Sequence, residues 1–294
     1  MSIPESQLQT WSNQGAVVTA QNTHNSIRTA LESYRQWPDD VKYEPYLQGS
    51  YKNSTNIYGN SDVDLVVELT SVFWSNLTDE EKTQLGIRNV NYDWGQFRQD
   101  VISALNNYYG SNQIDTSGKK SVKVRPSSGR LNADVVISGK YKYYESQKLR
   151  AEGIILWTQP GWEEIINYPK VHFDNGAYKN SDFKTNGLYK PSIRMFKNAR
   201  DKFVGSNPLL KDRFPSYFIE CLLYNVPNKC FGTSYHETYA AVVNWLNDEF
   251  NKNSVSEFVC QNGMFYLFGS SSVQWNVNDA REFVNQLINL WNNW

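Results

Sequence analysis

The distribution of strand and helix signals along the chain predicts an α+β fold, with a strand-bearing core beside a C-terminal helical lobe. Two apolar runs, at 62–67 and 131–137, carry carboxylates at their start or in their interior. A third run, Ser121-Val122-Lys123-Val124, precedes a Ser-Ser-Gly turn and the second of these. The last third instead shows polar caps followed by apolar residues at three- and four-residue steps, the period of a one-faced helix.

In chain order, residues 1–40 read as helical, with Ile27, Leu31 and Tyr34 on one face and a stop at Trp37-Pro38. Residues 41–70 hold a Gly-Ser turn and the first acid-bearing strand. Thr78-Asp79-Glu80-Glu81 fits a capping box, and Trp94 to Tyr109 reads as a helix with Phe97, Val101 and Leu105 on one side. Residues 119–144 read as a hairpin. Asn186 begins a turn, and a helix entered at Pro191 then carries Ile193, Met195, Phe196 and Ala199. Ser234-x-x-Glu237 and Asp279-x-x-Glu282 read as caps of two further helices, and Asn262-Gly263 as a short hairpin turn. The expected boundary separates a core at 1–185 from a helical lobe at 186–294, with the ligand site in the cleft between them.

The chain has 294 residues, 40% hydrophobic and 20% charged, enough for a sizeable core. A formal net charge of -1 argues against a long nucleic-acid track. Lys119, Lys120, Lys123, Arg125 and Arg130 gather around the hairpin, where a solvated surface is favoured over an RNA site. The three cysteines, Cys221, Cys230 and Cys260, form no Cys-x-x-Cys pair, which argues against zinc and for a reducing compartment. No basic, apolar leader opens the sequence and no run approaches a membrane span, so a cytoplasmic protein without membrane contact is expected.

The residues that carry chemistry lie between Leu47 and Val67. Gly49-Ser50 forms a small turn, a polar loop follows, and Asp62-Val63-Asp64 opens an apolar strand. Residues two apart on a strand share a face, so Asp62 and Asp64 aim together. Like charges that close repel unless a cation lies between them, and carboxylate oxygens suit Mg2+ or Mn2+. Asp134, inside Leu131–Ile137, supplies a third acid, returned by the hairpin to the same sheet. Taken singly, these features also fit an ordinary turn, a solvated strand edge and a salt-bridged core acid.

Together and in this order they resemble the polymerase-beta-like nucleotidyltransferase superfamily. Its hallmark is a Gly-Ser turn, a paired-acid strand and a third acid further on. The resemblance implies a mixed-sheet catalytic core that holds two divalent ions on Asp62, Asp64 and Asp134. Residues Tyr189–Arg200 and Pro215–Tyr224 narrow it. They are similar to the CD-NTases, bacterial relatives of cyclic GMP-AMP synthase and oligoadenylate synthase. Ile165–His172 and the following Asn-Gly look most like clade E.

That likeness implies a metal-dependent enzyme that joins two NTPs through two sequential nucleotidyl transfers. The 3',5'-linked cyclic dinucleotide would be read by a separate effector in the anti-phage systems called CBASS. It further implies that Gln48, Gly49, Ser50, Lys197 and Ser216 bind nucleotide, Ser50, Lys197 and Ser216 through phosphate, and that Tyr217 stacks on a base. Asn167 matches the position whose asparagine favours a pyrimidine, through a donor and an acceptor suited to uracil. UTP and ATP are therefore the leading substrates and cyclic UMP-AMP or cyclic di-UMP the leading product, with GTP and cyclic GMP-AMP the alternative. Trp157 and Trp162 are lid candidates. A monomer is expected. An enzyme acting on a protein, RNA or antibiotic acceptor, and a non-catalytic nucleotide sensor, are the competing readings.

Overall fold

The computed structural model describes the chain except residues 1, 60, 61, 88–91, 206, 207 and 272 and the side chain of Pro208. It holds seven described strands: β1 Tyr43–Leu47, β2 Val63–Ser75, β3 Ile114–Asp115, β4 Val122–Val124, β5 Ala133–Glu145, β6 Lys148–Trp157 and β7 Glu164–Asn167. They form one mixed sheet in the order β1-β2-β5-β4-β3, with β6 on β5 and β7 on β6. The β2–β5 pair is parallel and the remaining pairs are antiparallel.

The chain divides into two compact units. One comprises Ala16–Lys52 and Ser61–Val171; the other comprises Met1–Gly15, Asn53–Asn60 and His172–Trp294. The units interleave along the sequence, unlike the single boundary expected at 185/186. The helix Glu5–Ser12 has its partners in the late helices. Arg194 donates to the carbonyls of Ser12 and Ser54, and Asn198 to that of Trp11 at 2.8 Å. Such long-range bonds have no local signature in sequence.

In the sheet unit, alternate residues of β2 and β5 build one core. Val63, Leu65, Val67, Ala133, Val135 and Ile137 are buried with Ile27 and Leu31 of the helix Val18–Ser33 and with Phe97, Val101 and Leu105 of the helix Trp94–Tyr109. Burying each such side chain stabilises the unit by about 1.5–3 kcal/mol. The helix Trp94–Tyr109 has the bounds its apolar period predicts, and Asp93 caps it by accepting from the Gln96 N–H at 2.8 Å. The Thr78 capping box is reciprocal as expected. Pro45 lies in β1, an edge strand, where a missing N–H is tolerated.

In the helical unit, the helices Tyr189–Val204, Ser216–Tyr224, Tyr235–Asn251 and Val277–Asn292 share a core that includes Phe196, Phe218, Tyr239 and Phe283. Ser234 caps as read, accepting from the Glu237 N–H at 3.1 Å, while the Glu237 carboxylate turns to Thr233. The last of these helices starts three residues earlier than a cap at Asp279 implied. Asn276 is its cap, accepting from Asn278 N–H, and Asp279 instead takes an ion pair with Arg213. The Asn262-Gly263 turn closes a single bridge between Val259 and Tyr266. Among the described residues no helix is long and apolar enough to cross a membrane.

Candidate active site

The sheet unit carries the acids. β1 and β2 pair antiparallel with Leu47 opposite Leu65, and the Gln48 N–H then donates to the Asp64 carbonyl at 2.9 Å. The chain turns at once into the short helix Gly49–Asn53. Gly49 has φ +62°, a left-handed conformation that costs an L side chain about 1–2 kcal/mol. A Cβ added there would lie 2.9 Å from Asp64 Cγ and closer still to Oδ2. The glycine is thus what lets the Asp64 carboxylate rest against the turn that carries Ser50.

β2 and β5 run parallel in register, Asp64 beside Asp134. In-register neighbours in a sheet share a face and sit about 4.8 Å apart. Both acids are half-buried, and both point away from the face that packs on Phe97 and Val101, since Leu65 and Val135 are buried there. Lys123 stands opposite Asp134 on β4, and Ser121 Oγ donates to Asp134 Oδ1 at 3.0 Å. The hairpin therefore delivers Asp134 as the sequence predicts. Asp62 is exposed and precedes the strand, which starts at Val63.

Stacked carboxylates of this kind repel, and a divalent cation relieves the repulsion. The donor chemistry, carboxylate oxygens beside a hydroxyl, fits magnesium or manganese. Among the described residues no group of three acidic, histidine or cysteine side chains is gathered tightly enough to enclose a metal ion. Magnesium is commonly held by one or two carboxylates, with waters and substrate phosphates as the remaining ligands.

Asn167 closes β7 of the same unit, paired with Ile154 and exposed. Its Oδ1 accepts the Tyr168 N–H at 2.9 Å, so the side chain is oriented from within and its amide NH2 stays available. Sequence reasoning missed the ion-pair cluster that begins three residues further on. Lys170 donates to Glu44 at 3.0 Å and pairs with Glu68 at 3.2 Å. Glu68 is buried, lies four residues along β2 from Asp64, and accepts from Tyr46 Oη at 2.9 Å.

The helical unit holds the other residues singled out in the sequence. Lys197, expected to touch a triphosphate, is buried. Its Nζ donates to Glu220 Oε1 at 2.6 Å and to the Thr55 carbonyl at 3.1 Å. Glu220 also accepts from Thr55 Oγ1 at 2.7 Å, and its Oε2 lies 3.2 Å from His172 Nε2. Burial alone would raise the Glu220 carboxyl. The Lys197 charge and the His172 hydrogen bond outweigh it and hold the group well below the usual carboxylate range. Burial also holds the Lys197 ammonium below the usual lysine range, with Glu220 opposing that shift. Lys197 Nζ, Thr55 Oγ1 and His172 Nε2 thus converge on one carboxylate.

Tyr217 stacks on His172, ring centroids 5.1 Å apart, and leans on Trp275 at 5.6 Å. Ser216 Oγ accepts from Arg200 Nη1 at 3.3 Å. Each candidate on this unit thus has an internal partner, and Glu220, His172 and Arg200 escaped the sequence reading. A glutamate within the apolar run Tyr217–Tyr224 was the available signal, because a buried charge requires partners.

The comparisons with known proteins match this architecture. Residues 174–292 match the model of the cGAS/DncV-like nucleotidyltransferase C-terminal helical domain. A cyclic UMP-AMP synthase of Rhodothermus marinus is 46% identical, over 100% of this chain and 99% of its own length. This chain belongs to the cGAS/DncV-like nucleotidyltransferases. A cyclic nucleotide synthase of Staphylococcus haemolyticus is 38% identical over the full length of both chains. The structure of the Rhodothermus CdnE synthase with Apcpp and Upnpp superposes with a TM-score of 0.91, covering 99% of this chain and 97% of that one. The CdnE cyclic dinucleotide synthase of Elizabethkingia meningoseptica, solved with GTP and Apcpp, is 28% identical with a TM-score of 0.80, covering 99% and 100%. As a member of this family the chain is a nucleotidyltransferase of the cyclic dinucleotide synthase type.

Proposed function

We propose that this nucleotidyltransferase joins UTP and ATP into cyclic UMP-AMP, using Asp62, Asp64 and Asp134 as its catalytic and metal-holding acids. The observation that carries the reading is the in-register pair Asp64 and Asp134 beside the Gly49-Ser50 turn, in a chain 46% identical to the Rhodothermus cyclic UMP-AMP synthase.

Ser50 binds donor phosphate through its hydroxyl and backbone N–H, at a turn whose glycine admits the Asp64 carboxylate. Asp134 takes the proton from the acceptor ribose hydroxyl, with Ser121 holding its Oδ1. That oxygen attacks the donor α-phosphorus in line. The new P–O bond forms as the bond to the leaving pyrophosphate breaks. The linear product then reacts once more in the same way to close the ring. Magnesium, held by Asp62, Asp64 and Asp134 together with the substrate, would supply charge neutralisation at the triphosphate. Positioning and charge stabilisation account for most of the acceleration in such transfers.

Base choice rests on Asn167. With Oδ1 tied to the Tyr168 N–H, the NH2 is presented outward and donates to a base carbonyl such as uracil O4. Adenine presents an amino group at that edge, donor against donor. Gln48 is a further proposed nucleotide contact of the sheet unit, and Ser216 and Tyr217 are proposed nucleotide contacts of the helical unit. Lys197 is assigned instead to holding Glu220, since its ammonium is already enclosed. The test is incubation with all four NTPs and Mg2+, with products resolved by mass spectrometry. Cyclic UMP-AMP as the main product supports the reading. A purine-only product, or none without a macromolecular acceptor, overturns it.

A further inference from the structure

The sheet unit has a second concavity that the acids do not use. It has a volume of about 620 Å³, and Trp74, Trp94, Trp157 and Trp162 form its walls, with Asp93 and Gln99 among its polar groups. Strand parity puts it on the other face of the sheet from Asp64 and Asp134. β5 pairs with β2 without a register shift from Ala133 to Gly139, so residues 134 and 139 face opposite sides. Trp74 covers the Gly139 side: a Cβ added to Gly139 would lie 3.0 Å from Trp74 Cη2 and closer to other ring carbons. Trp94, Gly95, Gln96 and Gln99 belong to the helix that packs on Val135 and Ile137, the same side.

The indoles are arranged, not scattered. Trp94 Nε1 donates to the Ile137 carbonyl at 2.9 Å, which fixes that ring. Trp157 meets Trp94 at 5.2 Å and Trp74 at 5.5 Å, and Trp162 meets Trp94 edge-on at 5.8 Å. Trp162 is 60% exposed and has φ +54°, an unfavourable backbone for a bulky residue. Its turn is locked: Trp162 N–H donates to the Thr158 carbonyl, and Glu163 N–H to Thr158 Oγ1, both at 3.0 Å. Beyond its edge contact with Trp94, this large apolar ring is held open to water on a strained backbone, which points to a ligand.

We propose that this pocket binds a guanine base. Four indoles packed edge-on or tilted against one another wall the pocket with aromatic surface, and base-on-aromatic contact recurs wherever proteins hold unpaired bases. Asp93 selects the edge. Its Oδ1 caps the helix through Gln96 N–H, and no hydrogen bond engages Oδ2 among the described residues. A carboxylate only accepts, so the base must donate. Guanine presents N1–H and the N2 amino group side by side. Uracil presents one N–H between two carbonyls, and adenine one amino group beside an acceptor. The exposed amide of Gln99 supplies a donor of the kind guanine O6 accepts. Occupancy of the pocket does not depend on which product the acids make.

The experiment follows tryptophan fluorescence of the Asp64→Asn/Asp134→Asn chain, without metal, on titration with GMP, IMP, AMP and UMP. Without metal the acid pair holds no phosphate, and any binding left at Ser50 or Asn167 would survive Trp162→Ala. GMP should quench in a saturable way, more tightly than IMP, which lacks the N2 amino group, and than AMP or UMP. Trp162→Ala, at an exposed position, should bind GMP about 5- to 150-fold more weakly, the loss expected for one stacking ring. Asp93→Asn keeps the helix cap and should lose the preference for GMP over IMP. Cyclic di-GMP run beside GMP separates a product-borne base from a free nucleotide as the source of the ligand. Equal quenching by all four mononucleotides, or GMP binding unchanged in both variants, would overturn the assignment.

Discussion

Gly49→Ala tests how the turn and the acid depend on each other. The added Cβ would lie 2.9 Å from Asp64 Cγ, whereas ordinary contacts begin at 3.4 Å. Relief moves Cγ by about half an ångström and Oδ2, which starts closer, by more; a misplacement near 1 Å at a reacting centre costs about 100-fold in rate. The backbone at φ +62° adds about 1–2 kcal/mol of strain, equivalent to a fall of roughly 2–8 °C in Tm for a domain of this size. The two effects separate in paired assays: product formed per minute from NTPs with Mg2+, and a thermal melt. A melt lowered by about 2–8 °C with kcat down about 100-fold is expected. A variant with the parent rate would show that Asp64 does not need its place against the turn, and the mechanism built on that contact would fail.

Other perturbations reach different parts of the molecule. Lys197→Met leaves Glu220 buried without its cation and should cost about 3–5 kcal/mol, or roughly 6–20 °C in Tm; a native melt with only KM for NTPs raised would instead give Lys197 to the substrate. Glu220 titrates below its unfolded value of about 4.3, so its contribution is complete above that pH and is lost as pH falls through the lower folded value. The melting temperature of the parent chain should therefore decline more steeply below about pH 4 than that of Glu220→Gln, and parallel curves would contradict the sign. Asn167→Ser removes the outward amide and should raise the purine share of the product, read as the UMP-to-purine ratio by mass spectrometry; an unchanged ratio rejects the pocket assignment.

What the sequence made legible follows from what is local. The helix Trp94–Tyr109 and the Thr78 box were readable because their caps and apolar steps lie within a few residues. The hairpin that carries Asp134 was readable because turn residues separate two short apolar runs. β6 and β7 went unread. β6 begins with charged, exposed residues and turns apolar only in its second half, and β7 is four residues long. Asp279 was misread as a cap because Asp-x-x-Glu fits the pattern as well as Asn276 does. The site divides in the same way. Gly49, Asp64 and Asp134 could be named from spacing, while the cluster of Lys197, Glu220, Thr55 and His172 joins residues up to 165 positions apart and left no local trace.

The decisive measurement is the product spectrum of the purified chain with all four NTPs and Mg2+, set beside that of Asp134→Asn. The parent should yield a cyclic dinucleotide containing UMP, and the variant should lose it by several orders of magnitude with an unchanged melt. Ring-shaped product made by Asp134→Asn at the parent rate would contradict the assignment of these acids to catalysis.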